Sequence, residues 1–417
     1  MKIKQGKNKT MVQNTITYGL VIAFWAVMQI LDMTGNMTSL LRGLLVPICT
    51  YVILALSLNL TVGILGELSL GHAGFMCVGA FSGAFFTNAM ADVIPSVGVR
   101  FAIALVIGAA VAAVFGIIIG IPVLRLKGDY LAIVTLAFGE IIKNLINALY
   151  VGKDSSGIHF SMKDAASLNL DETGEVIIKG AQGITGTPKA STFLIGILLI
   201  LLTLFIVLNL INSRTGRAVM AIRDNRIAAE SVGINITKYK LLAFSISASM
   251  AGVAGVLYAH NLSSLAATTK NFGYNMSITI LVFVVLGGIG NMRGSMIAAV
   301  ILTALPEMLR GLNNYRMLIY AIVLIVMMLF NSAPKALEMR ERFKERIRKG
   351  TKKTAGKEAV EMAMLEVKNL IIAFGGLKAV DDVQLTIDKG KRNGLSGAKV
   401  AGRTHCVTMS PGVCRPT

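Results

Sequence analysis

Charged residues are scarce in this 417-residue chain: Asp, Glu, Lys and Arg together make up 15% of it, where a soluble domain has roughly 25%. Hydrophobic residues supply 54%, and they form long runs between residues 15 and 331. A bilayer core of ~30 Å needs about 20 apolar residues per helix. These runs exclude an ordinary soluble domain and predict an all-α, polytopic membrane protein.

Cysteine is also rare, and the residue patterns of common enzymes are absent. The four cysteines, Cys49, Cys77, Cys406 and Cys414, form no C-x-x-C pair, so neither a metal site nor a disulfide framework is indicated. There is no G-x-S-x-G, no H-E-x-x-H and no clustered Cys/His set. No catalytic residue is therefore predicted, and a membrane-embedded enzyme is an alternative that no pattern supports.

The net charge of +19 raises the question of a nucleic-acid partner. The Lys and Arg residues lie between the apolar runs and in the tail, as the positive-inside rule predicts. No RNA-binding motif or aromatic interleaving accompanies them. The expected partner is therefore membrane lipid, and no binding of nucleic acid is expected. The basic N-terminus "MKIKQGKNKT" is not followed by a short apolar stretch with a cleavage site, which indicates a retained cytoplasmic end.

Ten membrane spans are predicted, with both termini in the cytoplasm because the segments then assigned to the cytoplasm hold most of the Lys and Arg residues. The expected location is the plasma or inner membrane, as a multi-pass protein. The spans are about 15–32, 43–61, 66–90, 99–124, 129–150, 191–212, 240–260, 275–291, 295–310 and 317–331.

The segments around these spans suggest the domain organisation. The segment after residue 363 alternates apolar and polar residues like short paired strands. The predicted parts are a cytoplasmic N-terminus (1–14), a transmembrane domain (15–331) with an outside loop (151–190) and an inside loop (213–239), a charged linker (332–363), and a C-terminal fragment (364–417).

The third span is interrupted by glycines and carries two ionisable residues, Glu67 and His72. Unwound backbone at membrane depth must line a cavity or be covered by protein, and interrupted helices build substrate sites in transporters. The alternative is close helix packing by small residues, and His72 could equally hold a packing contact. The glycines are Gly63, Gly66, Gly71, Gly74, Gly79 and Gly83. The candidates for substrate contact are Glu67, Ser69, Gly71, His72 and Gly74.

Three further features are expected to serve packing. Glu140 and Lys143 stand at i, i+3 in the fifth span and are predicted to neutralise each other in the bundle interior. Small residues four apart predict close helix contacts. They are Gly116 and Gly120, Ala248 and Gly252, and Ala251 and Gly255.

The inside loop "SRTGRAVMAIRDNRIAAESVGINITKYK" is amphipathic and helix-forming, and Gly233 stands where the helix should end. A short apolar helix between two spans can lie on the membrane surface. It can also dock into a groove of a cytoplasmic partner. The pattern by itself favours neither.

Four stretches of the chain closely resemble the permease subunit of branched-chain amino acid ABC transporters, in order and over about residues 40–330. The stretches are "LSLNLTVGILGELSLGHAGFMCVGA" (56–80), "LRLKGDYLAIVTLAFGEI" (124–141), "GRAVMAIRDNRIAAESVGINITKYKLLAFSISASMAGVAGVLYA" (216–259) and "VVLGGIGNMRGSMIAAVILTALPEMLR" (284–310).

The resemblance implies an importer that pairs this chain with a homologous second permease. Two cytoplasmic ATPases would drive it, and an extracytoplasmic binding protein would deliver leucine, isoleucine or valine. Residues 216–234 would be the coupling helix that docks into an ATPase groove, and Arg223→Glu is expected to abolish that association. The residues that occupy the coupling motif are Arg217, Arg223, Asp224, Ala228 and Gly233.

The fragment from residue 364 resembles the start of the partner ATPase subunit, and "GLSGAKVAGRT" lies where its phosphate-binding loop belongs. Arg replaces the Lys that reaches the phosphates, and the 13 residues after Thr404 leave no room for a Mg²⁺ carboxylate. The outline residues, Gly397, Gly402, Arg403 and Thr404, are therefore expected to bind no cofactor. ATP and Mg²⁺ would bind the partner subunits, and the fragment is expected to be unfolded.

Two alternatives accompany this interpretation. Urea and short-amide permeases are among the family's relatives, so a urea or short-amide permease is the first alternative. The chain could also be a product of a fused or decayed permease–ATPase gene pair whose permease part no longer couples to ATP hydrolysis.

Overall fold

The computed structural model describes residues 2–35, 37–126, 128–154, 157–171 and 174–309, six positions between 315 and 325, and the strands 363–374 and 377–388. The chain divides into two units, Met1–Ala336 and Leu337–Thr417.

The described part of the first unit is built from α-helices, as predicted. They are α1 (Lys2–Met33), α2 (Ser39–Asn59), α3 (His72–Ala89), α4 (Val97–Val123), α5 (Asp129–Ala148), α6 (Phe193–Asn212), α7 (Arg214–Asp224), α8 (Arg226–Ser231), α9 (Ile236–Ala259), α10 (Thr269–Phe272), α11 (Tyr274–Gly287) and α12 (Met292–Met308).

Seven membrane-crossing segments in the described residues are long and apolar enough to span a bilayer. Helices α3 and α12 also lie where spans were predicted, although they are not among the seven. The tenth predicted span, 317–331, falls largely outside the described residues. The multi-pass helical architecture is thus confirmed, while the count of ten and the orientation stay predictions. The seven are Asn14–Met33, Ser39–Leu65, Val97–Val123, Asp129–Ala148, Phe193–Asn212, Ile236–Ala259 and Thr269–Gly287.

Small residues bring α3, α4 and α9 into close contact, as the four-residue spacing predicted. A methyl group added at Gly252 would meet the Gly108 carbonyl oxygen and the Ala112 Cβ, both at 2.5 Å, and one added at Gly116 would meet the Ala248 Cβ at 2.7 Å. Backbones can approach this closely only where side chains are absent or small. The close approach of these helices therefore depends on their small residues.

The predicted outside loop holds most of a small sheet that the sequence analysis did not predict. Its strands pair antiparallel in the order β2-β1-β3-β4-β5, and the last strand comes from the far end of α9. The strands contain only two to five residues each, which is too short for a clear alternation of apolar and polar residues. They are β1 (Tyr150–Lys153), β2 (Ile158–Ser161), β3 (Glu175–Lys179), β4 (Ile184–Thr185) and β5 (Ser264–Leu265).

The described part of the second unit is an antiparallel hairpin of β6 (Ala363–Phe374) and β7 (Leu377–Asp388), so the paired strands predicted here are present. Two strands by themselves bury little, and the expectation that this fragment is unfolded stays a prediction. The outline residues Gly397, Gly402, Arg403 and Thr404 lie outside the described residues.

Candidate functional site

The predicted interruption lies between α2 and α3. A π-helix, Leu60–Leu65, continues α2 and ends at Gly66, whose φ of +80° is left-handed. Glycine adopts this conformation without a steric cost, which makes it the usual residue at such a helix end. Residues 66–71 are not helical, and α3 begins at His72. The chain therefore turns here, through a short non-helical segment whose first two N–H groups, of Gly66 and Glu67, still donate to the Thr61 carbonyl oxygen.

The glycine that ends this segment and the one in the first turn of α3 serve close packing, one of the two interpretations of the sequence. A Cβ at Gly71 would collide with the Thr135 carbonyl oxygen of α5, and one at Gly74 would lie 2.8 Å from the Gly139 Cα. Two of the five candidates for substrate contact are thus pressed against α5, and they position the segment by letting the two backbones approach.

His72 makes a packing contact. It is 2% exposed, and its Nε2 lies 2.6 Å from the Ser57 hydroxyl oxygen of α2. The Ser57 hydroxyl donates its own hydrogen to the Leu54 carbonyl oxygen at 2.9 Å, so the imidazole acts as the donor to Ser57. The polar group of His72 is therefore engaged within the bundle.

Ser69 differs from the other candidates because its hydroxyl has no hydrogen-bond partner among the described residues, although the residue is 1% exposed. The next residue is well held, since the Leu70 backbone N–H donates to the Thr135 hydroxyl at 3.0 Å. A buried polar group usually has a partner, and each exception needs an explanation. The Ser69 hydroxyl is thus a free donor and acceptor in the non-helical segment.

Two pairs of buried polar side chains join the π-helix and the residue before it to neighbouring helices. Their members were not among the residues expected to contact the substrate. The Asn59 amide donates to the Ser295 hydroxyl at 2.9 Å, and the Thr61 hydroxyl donates to the Ser247 hydroxyl at 2.9 Å. All four residues are at most 1% exposed. Polar residues inside otherwise apolar spans were the signal that could have identified them, since such residues are costly and are usually functional.

Glu67 pairs with Lys240 in the second turn of α9. Their side chains are 15% and 6% exposed, so both charges lie largely away from water. A buried charge must be paired to be tolerated. The ionisable residue that the sequence analysis assigned to a substrate site is therefore engaged by a cation within the protein.

The inside loop forms two short helices, α7 and α8, where one coupling helix was expected. The backbone at Asn225 is extended, with φ −155° and ψ 105°, and its side chain accepts a hydrogen bond from the Ala228 N–H at 3.1 Å. Asn favours this N-cap role and competes with helix continuation. Gly233, with φ +82°, ends the helical stretch as predicted.

Arg223, a predicted partner contact, is bonded inside the chain. Its Nη1 donates to the Gly63 carbonyl oxygen of the π-helix at 2.8 Å, and its Nη2 lies 2.9 Å from the Asp224 carboxylate. The side chain is 38% exposed. Substitution of Arg223 therefore perturbs this chain itself, and Arg223→Glu does not isolate an interaction with a partner.

The outer surface of α7 and α8 carries exposed apolar side chains. Ile227 is 80% exposed and Val232 is 74% exposed, and Ala228 lies beside them on the surface. Beneath them, a small apolar cluster of Ile222, Ala229 and Ile236 fastens α7 and α8 to the start of α9. Arg217 is exposed as well, and its guanidinium donates to the Asn212 carbonyl oxygen at 3.0 Å.

The predicted pair in α5 is confirmed. The Lys143 ammonium lies 2.5 Å from the Glu140 carboxylate and also donates to the Thr269 hydroxyl at 3.1 Å. The Glu140 carboxylate accepts from the Tyr274 backbone N–H at 2.7 Å. This pair fastens α5 to α10 and α11.

A comparison with protein families matches residues 40–329 to the model of the branched-chain amino acid transport system permease component. The matched region begins at the start of α2 and includes every helix up to α12. No solved structure matches the chain.

Individual relatives show the same similarity. The chain is 36% identical over 289 residues to the high-affinity branched-chain amino acid transport system permease protein LivM of Salmonella typhimurium, covering 67% of this chain and 66% of the relative. It is 35% identical to the protein of that name from Escherichia coli, with the same coverage. The ribose import permease protein RbsC of Escherichia coli is 28% identical over 68% of this chain and 79% of its own length. The chain thus spans just under two thirds of the length of the first two relatives.

Proposed function

The chain belongs to the family of permease components of branched-chain amino acid transport systems, and from that membership we propose that it forms part of the membrane pathway of an ABC importer. The proposed substrates are leucine, isoleucine and valine. The observation that carries the proposal is the family match over residues 40–329, supported by the similarity to the two LivM proteins. These relatives are transport components, and no enzymatic activity is proposed.

The proposed partners follow from the same membership. They are a homologous second permease, two cytoplasmic ATPase subunits that bind ATP and Mg²⁺, and an extracytoplasmic amino-acid-binding protein. The hydrogen bonds of Asn59 with Ser295 and of Thr61 with Ser247 join membrane helices, as polar side chains between such helices commonly do.

Among the five candidates for substrate contact, Ser69 is proposed to touch the substrate. Glu67 and His72 are engaged within the chain, and Gly71 and Gly74 are pressed against α5. The Ser69 hydroxyl is buried in the non-helical segment and has no hydrogen-bond partner in the described part of the chain. It can donate to a carboxylate or accept from an ammonium group, which are the two polar groups that every amino acid presents.

The α7–α8 surface is proposed to dock into an ATPase groove. The exposed Ile227 and Val232 fit both possibilities that the sequence left open, a groove and the membrane surface. Membership in a family of transport-system permease components is what favours the groove. Arg217, Asp224, Ala228 and Gly233 complete the exposed side of this loop.

Uptake of labelled leucine into sealed vesicles tests the proposal. The vesicles contain this chain, the second permease and the ATPases, and the binding protein is supplied outside. ATP-dependent accumulation that excess isoleucine or valine suppresses is the expected result. Accumulation of labelled ribose or urea in place of leucine would contradict the proposed substrate, and no ATP-dependent uptake would contradict the importer function.

A further inference from the structure

Two cationic side chains from different elements hold the turn between α2 and α3. Arg223 comes from the end of α7 and Lys240 from the second turn of α9, and together they engage residues 63–67. We refer to Arg223 and Lys240 as the cation clamp. The turn that they hold leads directly into the non-helical segment 66–71, which carries Ser69.

Arg223, the first arm of the clamp, contacts both Gly63 and Gly66. The Arg223 Nη1 donates to the Gly63 carbonyl oxygen at 2.8 Å, near the end of the π-helix. Helix ends present unsatisfied carbonyl groups and a partial negative charge, which a guanidinium compensates. The aliphatic part of Arg223 lies where a side chain at position 66 would stand, since a Cβ at Gly66 would be 2.5 Å from the Arg223 Cγ.

The second arm is an ion pair shielded from water. The Lys240 and Glu67 side chains are 6% and 15% exposed. Because charges in such surroundings are stabilised mainly by each other, removal of one partner is far more disruptive than removal of a surface charge. Glu67 itself lies in the non-helical segment, so this ion pair helps to determine where that segment lies.

The helices that carry Arg223 and Lys240 are packed together. The apolar cluster of Ile222, Ala229 and Ile236 joins α7, α8 and the start of α9, with Ile234 and Tyr239 packed against it. A displacement of α7–α8 is therefore expected to move both Arg223 and Lys240. The non-helical segment is held by hydrogen bonds from the Gly66 and Glu67 N–H groups to the Thr61 carbonyl oxygen and from the Leu70 N–H to the Thr135 hydroxyl. It therefore resists such a displacement less than the regular helices on both sides of it.

We propose that Arg223 and Lys240 are positioning residues that transmit movement of α7–α8 to segment 66–71, and thereby convert ATP hydrolysis by the partner subunits into substrate movement. This inference rests on the proposed function. It assigns to Arg223 a role inside the chain in place of a direct partner contact, and it gives Lys240 and Glu67 a role in coupling.

The test compares uptake per ATP hydrolysed in the reconstituted transporter. Glu67→Gln and Lys240→Met each remove one charge of the second arm, and the exchange Glu67→Lys with Lys240→Glu restores a pair of opposite charges. Each single variant is expected to keep ATP hydrolysis while leucine uptake per ATP falls by about 10-fold, within the ~5–150-fold range of typical coupling energies. The exchange variant is expected to recover at least half of the lost uptake.

The Glu140–Lys143 pair supplies a matched control. Its side chains are 24% and 8% exposed, close to those of the clamp pair, and it contacts α10 and α11. Glu140→Gln removes a comparable ion pair and is expected to leave uptake per ATP unchanged. Thermal unfolding of the purified complexes in detergent shows whether the two losses of a charge destabilise the protein equally.

Several outcomes would overturn the inference. They are an unchanged ratio of uptake to hydrolysis in Glu67→Gln and Lys240→Met, an equal drop in Glu140→Gln, or no recovery in the exchange variant. Loss of the ATPases from the purified complex would also overturn it, because the clamp would then serve assembly. Failure of the wild-type complex to transport leucine is a separate result, which contradicts the proposed function and is read before any variant.

Discussion

Ser57 and His72, which stand 15 residues apart on α2 and α3, are joined by a 2.6 Å hydrogen bond inside the bundle. The bond closes the turn whose other end the cation clamp holds, so the non-helical segment lies between two fixed points. A histidine that the sequence presented as a possible substrate contact is thus part of the frame that positions the neighbouring Ser69.

The Ser57–His72 bond is expected to stabilise the bundle by ~1 kcal/mol, the usual net contribution of a buried hydrogen bond. Ser57→Ala and His72→Phe should each lower the free energy of unfolding, and the double variant should lose less than the sum of the two. Unfolding of the purified chain in detergent measures all three. Additive losses would show that the two side chains do not interact.

The contact between α9 and α4 predicts that Gly252→Ala is destabilising. The new methyl group would meet the Ala112 Cβ and the Gly108 carbonyl oxygen at 2.5 Å, and overpacking of this kind costs ~1–3 kcal/mol. Gly98→Ala is the matched control, because Gly98 lies in α4 with open space around it. There the change is expected to be neutral or stabilising, by up to ~1 kcal/mol. Equal effects on the unfolding midpoint would contradict the packing described.

The turn at Gly66 predicts a two-part cost for Gly66→Ala. A left-handed backbone costs a non-glycine residue ~1–2 kcal/mol, and the methyl group would also collide with the Arg223 stem. Gly35→Ala pays the first cost alone, because Gly35 has φ +71° and open space. Gly66→Ala should therefore unfold more readily than Gly35→Ala, and added Arg223→Ala should remove the difference. If Arg223→Ala leaves the difference in stability unchanged, the Arg223 side chain does not occupy the space beside position 66.

The unpartnered hydroxyl of Ser69 predicts an effect on substrate affinity. Ser69→Ala is expected to raise the KM for leucine uptake by about 5–10-fold, equivalent to one hydrogen bond, with little change in stability because no existing bond is lost. Ser82→Ala is the control, since the Ser82 hydroxyl donates to the Gly79 carbonyl oxygen of its own helix at 3.1 Å. A KM for Ser69→Ala equal to that of the wild type would remove Ser69 from the substrate path.

The exposed Ile227 predicts a partner contact that is independent of the clamp. Ile227→Asp is expected to weaken ATPase binding by at least ~5-fold, the effect of losing one significant interface residue. Ile158→Asp places the same charge on the small sheet, where Ile158 is 48% exposed, and should leave binding unchanged. Co-purification of the ATPase at increasing dilution measures both. If both variants bind the ATPase equally well, the docking surface lies elsewhere.

The sequence by itself determined the local features of this protein. Hydropathy along the chain placed the membrane helices, since each helix satisfies its own backbone hydrogen bonds and needs only a sufficient apolar length. The glycines around residue 66 marked the turn, because a left-handed backbone is a property of one residue. The spacing of Glu140 and Lys143 predicted their pairing because residues three apart are neighbours on one face of a helix.

Only the tertiary structure decided which distant residues meet. Arg223 and Gly63 are 160 positions apart, and Lys240 and Glu67 are 173 apart, so no local pattern links them. Their contacts depend on how α7 and α9 pack against the π-helix, and that packing is the sum of many small contacts. The same packing left the Ser69 hydroxyl unpartnered while it bound the polar group of His72 to Ser57. The sequence could therefore name the candidates at this turn. Only the packing of the helices showed which of them are engaged within the described part of the chain, and that the Ser69 hydroxyl is not.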